Sequence, residues 1–147
     1  MKSREITIQV KGCSMAPLIE SGDAIKIQKK NSNVRLSWGD IIVFLYKGEL
    51  IAHRIIALFP HKIITKGDNA FQKETLPKKA IIIGKVITIL KKTKTINLNQ
   101  PFIRVIQYGL TTLSFLSFLL PYILYRVLLL LFSIRYLFMW LIPGKKK

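Results

Sequence analysis

Turn signals cut the first hundred residues into apolar pieces too short for helices. Gly12, Gly22-Asp23, Gly39-Asp40, Lys47-Gly48, Pro60-His61, Gly67-Asp68 and Pro77 punctuate the chain, at spacings of roughly ten residues that suit short strands joined by tight connections. Between them the apolar residues keep a period of two. In Glu5 to Lys11, Ile6, Ile8 and Val10 point one way and Thr7, Gln9 and Lys11 the other, the pattern of a half-buried strand. Ala24 to Gln28 repeats it with Ile25 and Ile27, and Lys29 to Ser37 is a polar loop. Ile41 to Leu45 is a β-branched apolar run, followed by Leu50 to Leu58, Lys62 to Lys66, and Ala80 to Leu90 with Gly84 inside it. No segment of useful length before residue 100 has a helical period. The expected fold class is therefore mainly β, as a barrel or a sandwich.

The character changes after Pro101. Val105 to Tyr125 is 21 residues without a charge, bracketed by Arg104 and Arg126. At about 1.5 Å per residue such a helix crosses a hydrocarbon core of about 30 Å. Val127 to Pro143 is apolar again but carries Arg135. An arginine at the bilayer centre costs about 2.5–3.5 kcal/mol on insertion scales, so the second piece is read as a marginal span or an interfacial helix. The expected organisation is a β domain over 1–95, a linker over 96–104, and a membrane-associated helical region over 105–143 with one or two segments.

Charge adds a partner class. The 147 residues carry 24 Lys and Arg against seven Asp and Glu, a net +17. All seven acids lie before residue 101, and Lys145 to Lys147 close the chain. Beside an apolar tail, this surplus points to an anionic membrane surface rather than to nucleic acid. One cysteine excludes an internal disulfide, and one cysteine with two histidines makes no metal-ligand set; no cofactor is expected. Met1 to Lys11 lacks the apolar core of a secretion signal.

Chemistry is concentrated in Gly12-Cys13-Ser14-Met15-Ala16-Pro17. A proline three residues after Ser14 cannot continue a strand ladder, which leaves the serine on a turn at a strand end. A serine hydroxyl needs a base. His53, within Ile51-Ala52-His53-Arg54-Ile55-Ile56, has an ordinary pKa suited to that work. His61, beside Pro60, reads as a loop residue. Asp68 and Glu74 are alternative acids for orienting the imidazole. Cys13 and Ser14 are neighbours and cannot both face His53 in an extended segment; Cys13 reads as a small apolar residue. Met15 suits the cleft or a membrane surface, and Trp38 an interfacial anchor or a lid on the core.

In order along the chain stand Ser14-Met15-Ala16-Pro17, Gly22-Asp23, Gly39-Asp40-Ile41-Ile42-Val43-Phe44, His53-Arg54 and Lys66-Gly67-Asp68-Asn69. Together they resemble the signal peptidase I family, within the wider group of self-cleaving repressors and signal peptidases (S24/S26-type serine peptidases). The resemblance covers roughly residues 8 to 90. A histidine rather than a lysine before Arg54 is similar to the branch of the endoplasmic reticulum, archaea and some Gram-positive bacteria. The resemblance implies a mostly β fold and serine endopeptidase activity near a membrane, with Ser14 as nucleophile and His53 as general base. Asp68 matches the first acid of the family's Gly-Asp-Asn box, and the later aspartate falls at Glu74, a departure. Gly12 stands where many signal peptidases have a hydroxyl residue that assists the oxyanion hole.

The expected function is cleavage of signal or leader peptides held in extended conformation, by acyl transfer from Ser14 at a membrane. Basic residues on both sides of the tail place the β domain at the cytoplasmic face. The competing expectation is an inactive peptidase-like module that holds anionic membrane or nucleic acid on its basic face.

Overall fold

The computed structural model of the chain describes residues 5–31, 34–70 and 72–116. The strand pattern of the sequence folds into one antiparallel sheet: β1 (Glu5–Gln9), β2 (Ala24–Lys29), β3 (Ile41–Tyr46), β4 (Glu49–Phe59), β5 (Lys62–Lys66), β6 (Glu74–Thr75), β7 (Ile81–Leu90) and β8 (Thr95–Asn97). The strands follow the order β1-β2-β7-β3-β4-β5-β6, and β8 pairs with β7. β7 is the spine. It meets β2 along Gly84–Leu90, β3 near Ile81–Lys85, and β8 at Thr88–Leu90. Gly84 lies inside it without interrupting it. A Cβ there would collide with the Gln28 carbonyl oxygen, so the glycine lets β2 and β7 approach, beside the register shift of β3 against β7.

The period-two pattern sorts the apolar side chains onto two faces. Met15, Leu18, Ile19, Ile25, Ile27, Ile41, Val43, Val86 and Ile89 form the larger cluster, and Ile42, Phe44 and Ile55 anchor the other. Met15 is thus a core residue, 2 % exposed, and not a cleft or membrane contact.

The segment expected as a linker over 96–104 belongs to the domain. Ile96, Leu98 and Ile103 are buried in the larger cluster, and the helix α1 (Pro101–Leu116) begins inside it. The helix packs against β4. Gln107, Leu110, Thr111 and Ser114 share its buried side with Ile103, at the spacing of one helical face. Gln107 Nε2 donates to the Leu98 carbonyl at 2.9 Å, and Thr111 Oγ1 donates to the Gln107 carbonyl at 2.6 Å. Gln107 thus ties the start of the uncharged segment to the chain after β8, while the Thr111 hydroxyl is satisfied within the helix. Its opposite side exposes Phe102, Val105 and Leu116. Among the described residues no helix is long and apolar enough to cross a membrane; most of the expected 105–143 membrane region lies outside them.

Candidate active site

The Ser14 turn is built from its base upward. Val10 N–H donates to the Asp23 carbonyl at 2.8 Å and Gly22 N–H returns to the Val10 carbonyl at 3.0 Å, which closes the neck of the loop. Lys91 braces the neck through Asp23 at 2.9 Å and Glu20 at 3.6 Å. Inside the loop Ala16 N–H donates to the Cys13 carbonyl at 3.1 Å and Ile19 N–H to the Met15 carbonyl at 3.0 Å. This short coil drives Met15, Leu18 and Ile19 into the core and leaves Cys13 and Ser14 exposed at the tip. The Ala16-Pro17 peptide is cis, and Gly12 has φ 100°. A Cβ there would meet open space, but a serine or threonine at position 12 would be strained in that left-handed backbone, which disfavours the hydroxyl residue that the resemblance would place there.

The Lys-Gly-Asp-Asn segment clamps the tip. Asn69 N–H donates to the Ser14 carbonyl at 2.8 Å, and Asn69 Nδ2 donates to the Cys13 carbonyl at 3.3 Å. A Cβ on Gly67 would lie 2.6 Å from the Ser14 carbonyl oxygen and 3.2 Å from the Ser14 Cβ. Only a glycine permits that approach to backbone. Gly67→Ala is expected to push the serine turn off its seat and, on the chemistry expected of Ser14, to cut cleavage by about 100-fold, since misplacing a reacting group by about 1 Å costs that much. Steady-state rates beside a thermal unfolding curve check whether activity falls further than stability does.

His53 sits on β4 opposite Ile42 of β3, 8 % exposed, with its ring edge-on to Phe44 at 5.9 Å between centroids. Burial lowers its pKa below the usual histidine value, and the charges of Glu74 and Asp68 work against that shift. The net direction favours the neutral imidazole, the form a base requires. Its Nδ1 lies 3.9 Å from Glu74 Oε2. His61 lies in the exposed turn between β4 and β5.

The two acids are separated by their partners. Asp68 turns both oxygens to the neighbouring arginine: Arg54 Nε donates to Oδ1 at 2.7 Å and Nη2 to Oδ2 at 2.6 Å. Arg54 Nη1 also donates to the Gly39 carbonyl at 3.0 Å. Asp68 therefore acts on His53 through space, whereas Glu74 is the carboxylate at its Nδ1. Lys66, opposite Arg54 in the β4–β5 register, is 1 % exposed. Burial brings its pKa down to about 8, against the pull of Asp68.

The Gly39-Asp40 turn ties this cluster to the rest of the domain. Gly39 N–H donates to the Ile55 carbonyl at 2.9 Å and Ile55 N–H to the Asp40 carbonyl at 2.8 Å. Asp40 pairs with Lys85 at 3.0 Å. Trp38 Nε1 donates to the Ile56 carbonyl at 3.0 Å, and its ring stacks on Tyr108 of α1 at 5.5 Å. Trp38 is thus a lid that joins the turn to the helix. Sequence reasoning missed the clamp by Asn69 and the close approach of Gly67, although both lie in a segment it singled out. Among the described residues no group of three or more His, Cys, Asp or Glu is placed to hold a metal.

A core-anchored loop that presents one serine, clamped by the strand end beside a buried histidine, defines a peptidase-type β fold. The family model described as Peptidase S24-like matches residues 2–87. That is more than half of the chain, and the protein belongs to this family. No curated protein matches the chain. Membership supports a serine-type hydrolase scaffold.

Proposed function

We propose that the protein is a serine endopeptidase resembling the Ser/His branch of signal peptidase I, acting on an extended signal or leader peptide at a membrane. The observation that carries this reading is the placement of His53. It is buried, biased toward its neutral form, and faces Glu74 with Nδ1. A proton on Nδ1 directed at Glu74 leaves Nε2 as the acceptor for the Ser14 hydroxyl proton.

The steps follow. A peptide strand adds to a free sheet edge, its main chain hydrogen-bonding as a further strand. Ser14 Oγ attacks the scissile carbonyl carbon while His53 Nε2 takes the hydroxyl proton. The negative charge on the carbonyl oxygen meets the Ser14 backbone N–H. His53 then gives the proton to the leaving amine as the C–N bond breaks, and water, deprotonated by His53, releases the acyl group from Ser14. Membrane proximity is supported by Phe102, Val105 and Leu116 exposed on α1 and by the uncharged sequence that continues to Tyr125. The basic residues flanking the tail favour the cytoplasmic face.

Trapping the intermediate tests the reading. The full chain is mixed with a peptide library, quenched in acid within milliseconds to seconds, digested and sequenced by mass spectrometry. An acyl adduct on Ser14 is the expected result. An adduct on Cys13, or none with any peptide, overturns it; the second outcome leaves the binding-module reading standing.

A further inference from the structure

Two buried side-chain atoms among the described residues have no hydrogen-bond partner: His53 Nδ1 and Thr65 Oγ1. They belong to one place in the fold. Ile55 stands opposite Thr65 in the β4–β5 register, and Thr65 stands opposite Glu74 in the β5–β6 register. Residues paired across an antiparallel ladder share a face, as do residues two apart along a strand. His53, Ile55, Thr65 and Glu74 therefore project from the same side of the sheet, while Arg54 and Lys66, the next pair along, project from the other.

An acceptor for both atoms is at hand. The Glu74 side chain is 60 % exposed and ends 3.9 Å from His53 Nδ1, too long for a hydrogen bond. It stands on a strand of two residues, directly across the ladder from Thr65, which is 0 % exposed. Leaving a buried hydroxyl unpaired is costly, whereas a hydrogen bond to a carboxylate is among the strong ones. A carboxylate accepts at both oxygens and can hold two donors at once.

We infer that Thr65 is a positioning residue for the proposed reaction: its hydroxyl donates to the Glu74 carboxylate, which bridges Thr65 Oγ1–H and His53 Nδ1–H when the imidazole is charged. The inference rests on the Ser14–His53 reading and deepens it. Left to itself, a glutamate on an exposed two-residue strand spends its carboxylate in water. Anchored at one oxygen by Thr65, it keeps the other within reach of the imidazole. As His53 takes the Ser14 proton, the new positive charge draws the carboxylate in from 3.9 Å, and the low-dielectric surroundings strengthen the contact.

Acid titration produces the same imidazolium without a substrate, which makes the bridge measurable in the free protein. The charged groups acting on His53 are Glu74 and Asp68, and Arg54 occupies both oxygens of the latter. The full chain, with labelled histidine, is titrated by NMR, with His61→Ala used to assign the two imidazole signals. Glu74→Gln is expected to lower the His53 midpoint, because an acid partner that favours the charged ring is lost. Thr65→Val, which removes only the hydroxyl, is expected to lower it in the same direction, while Thr65→Ser keeps the wild-type value. In the Glu74→Gln background Thr65→Val adds nothing.

A Thr65→Val midpoint equal to wild type, or one that falls further when Glu74 is already Gln, overturns the inference. In cleavage, Thr65→Val lowers kcat roughly ten-fold with KM unchanged, the scale of one hydrogen bond to a charged group, and Thr65→Ser restores it. If no peptide is cleaved but the titrations couple, the bridge stands and the peptidase reading falls. If cleavage is seen and the titrations do not couple, the reverse holds.

Discussion

Under the proposed mechanism, Ser14→Ala and His53→Ala are each expected to reduce cleavage to background, a loss on the order of 10⁴-fold or more, because one member of a nucleophile–base unit is removed. Cys13→Ala and His61→Ala leave it near wild type. The reasons differ. Cys13 shares the exposed tip with Ser14 but contributes its carbonyl to the Asn69 clamp, a bond its side chain does not make. His61 is in the turn beyond the strand that holds His53. The same assay carries a pH signature. The base works unprotonated, and burial lowers the His53 pKa below 6.5. The rate is therefore sustained below the pH at which an ordinary histidine would protonate, and falls as pH drops through the lowered value. Glu74→Gln moves that acid limb to still lower pH, because the charge opposing the shift is gone. A wild-type limb at or above the ordinary histidine value contradicts the assignment.

Arg54→Ala unfolds the domain or brings it close to unfolding. Arg54 is 0 % exposed and Asp68 is 3 % exposed. Deleting the guanidinium leaves a carboxylate buried without its two charge-assisted bonds and the Gly39 carbonyl without its donor. Removing one partner of a buried ion pair costs about 3–5 kcal/mol, a large fraction of the roughly 5–15 kcal/mol that holds a domain of ordinary size together. Removing both charges together, in Arg54→Met with Asp68→Leu, is expected to recover part of that loss, since the stranded carboxylate is gone while buried Lys66 gives up the pull of Asp68. Urea unfolding midpoints for the wild type and these variants read the comparison directly. Lys66 adds a pH dependence whose sense is set by its burial. Its folded pKa of about 8 lies below the ordinary 10.5, so the unfolded chain binds more protons between those values. Stability from this group rises as pH increases through that window.

The parts of this fold that show in the sequence are those with a local cause. Ile6, Ile8 and Val10, or Ile25 and Ile27, alternate because one side of a strand is buried. Glycine marks Gly12, Gly22, Gly39 and Gly48 because the backbone there has positive φ, a local requirement. β6 and β8 escaped because two or three residues cannot carry a period; pairing with β5 and β7 alone defines them. The segment over 96–104 read as a linker because it is polar on average, yet three residues spaced along it, Ile96, Leu98 and Ile103, fill the core.

In the candidate site, Ser14, His53, Asp68 and Glu74 were legible as residue types in a familiar order. Their division of labour was not. Asp68 lies at the end of the strand that meets Arg54, and only the sheet register reveals which side chain reaches it. Thr65 was invisible for the same reason. A threonine in a strand is unremarkable by composition, and its unpartnered hydroxyl appears only once β4, β5 and β6 are laid side by side.

The docking of α1 fixes the direction of the helix as far as Leu116. A flexible connection of nine residues would let the β domain swivel like a float on a line. Sixteen helical residues, about 24 Å long at 1.5 Å each, are instead welded to the sheet by Tyr108 on Trp38 and by Thr111 and Tyr108 against Gly39. The helix is a handle. The place of Leu116 relative to the serine turn is set by packing rather than by chance. On the proposed reading, a substrate held beside that helix would reach the serine from one side.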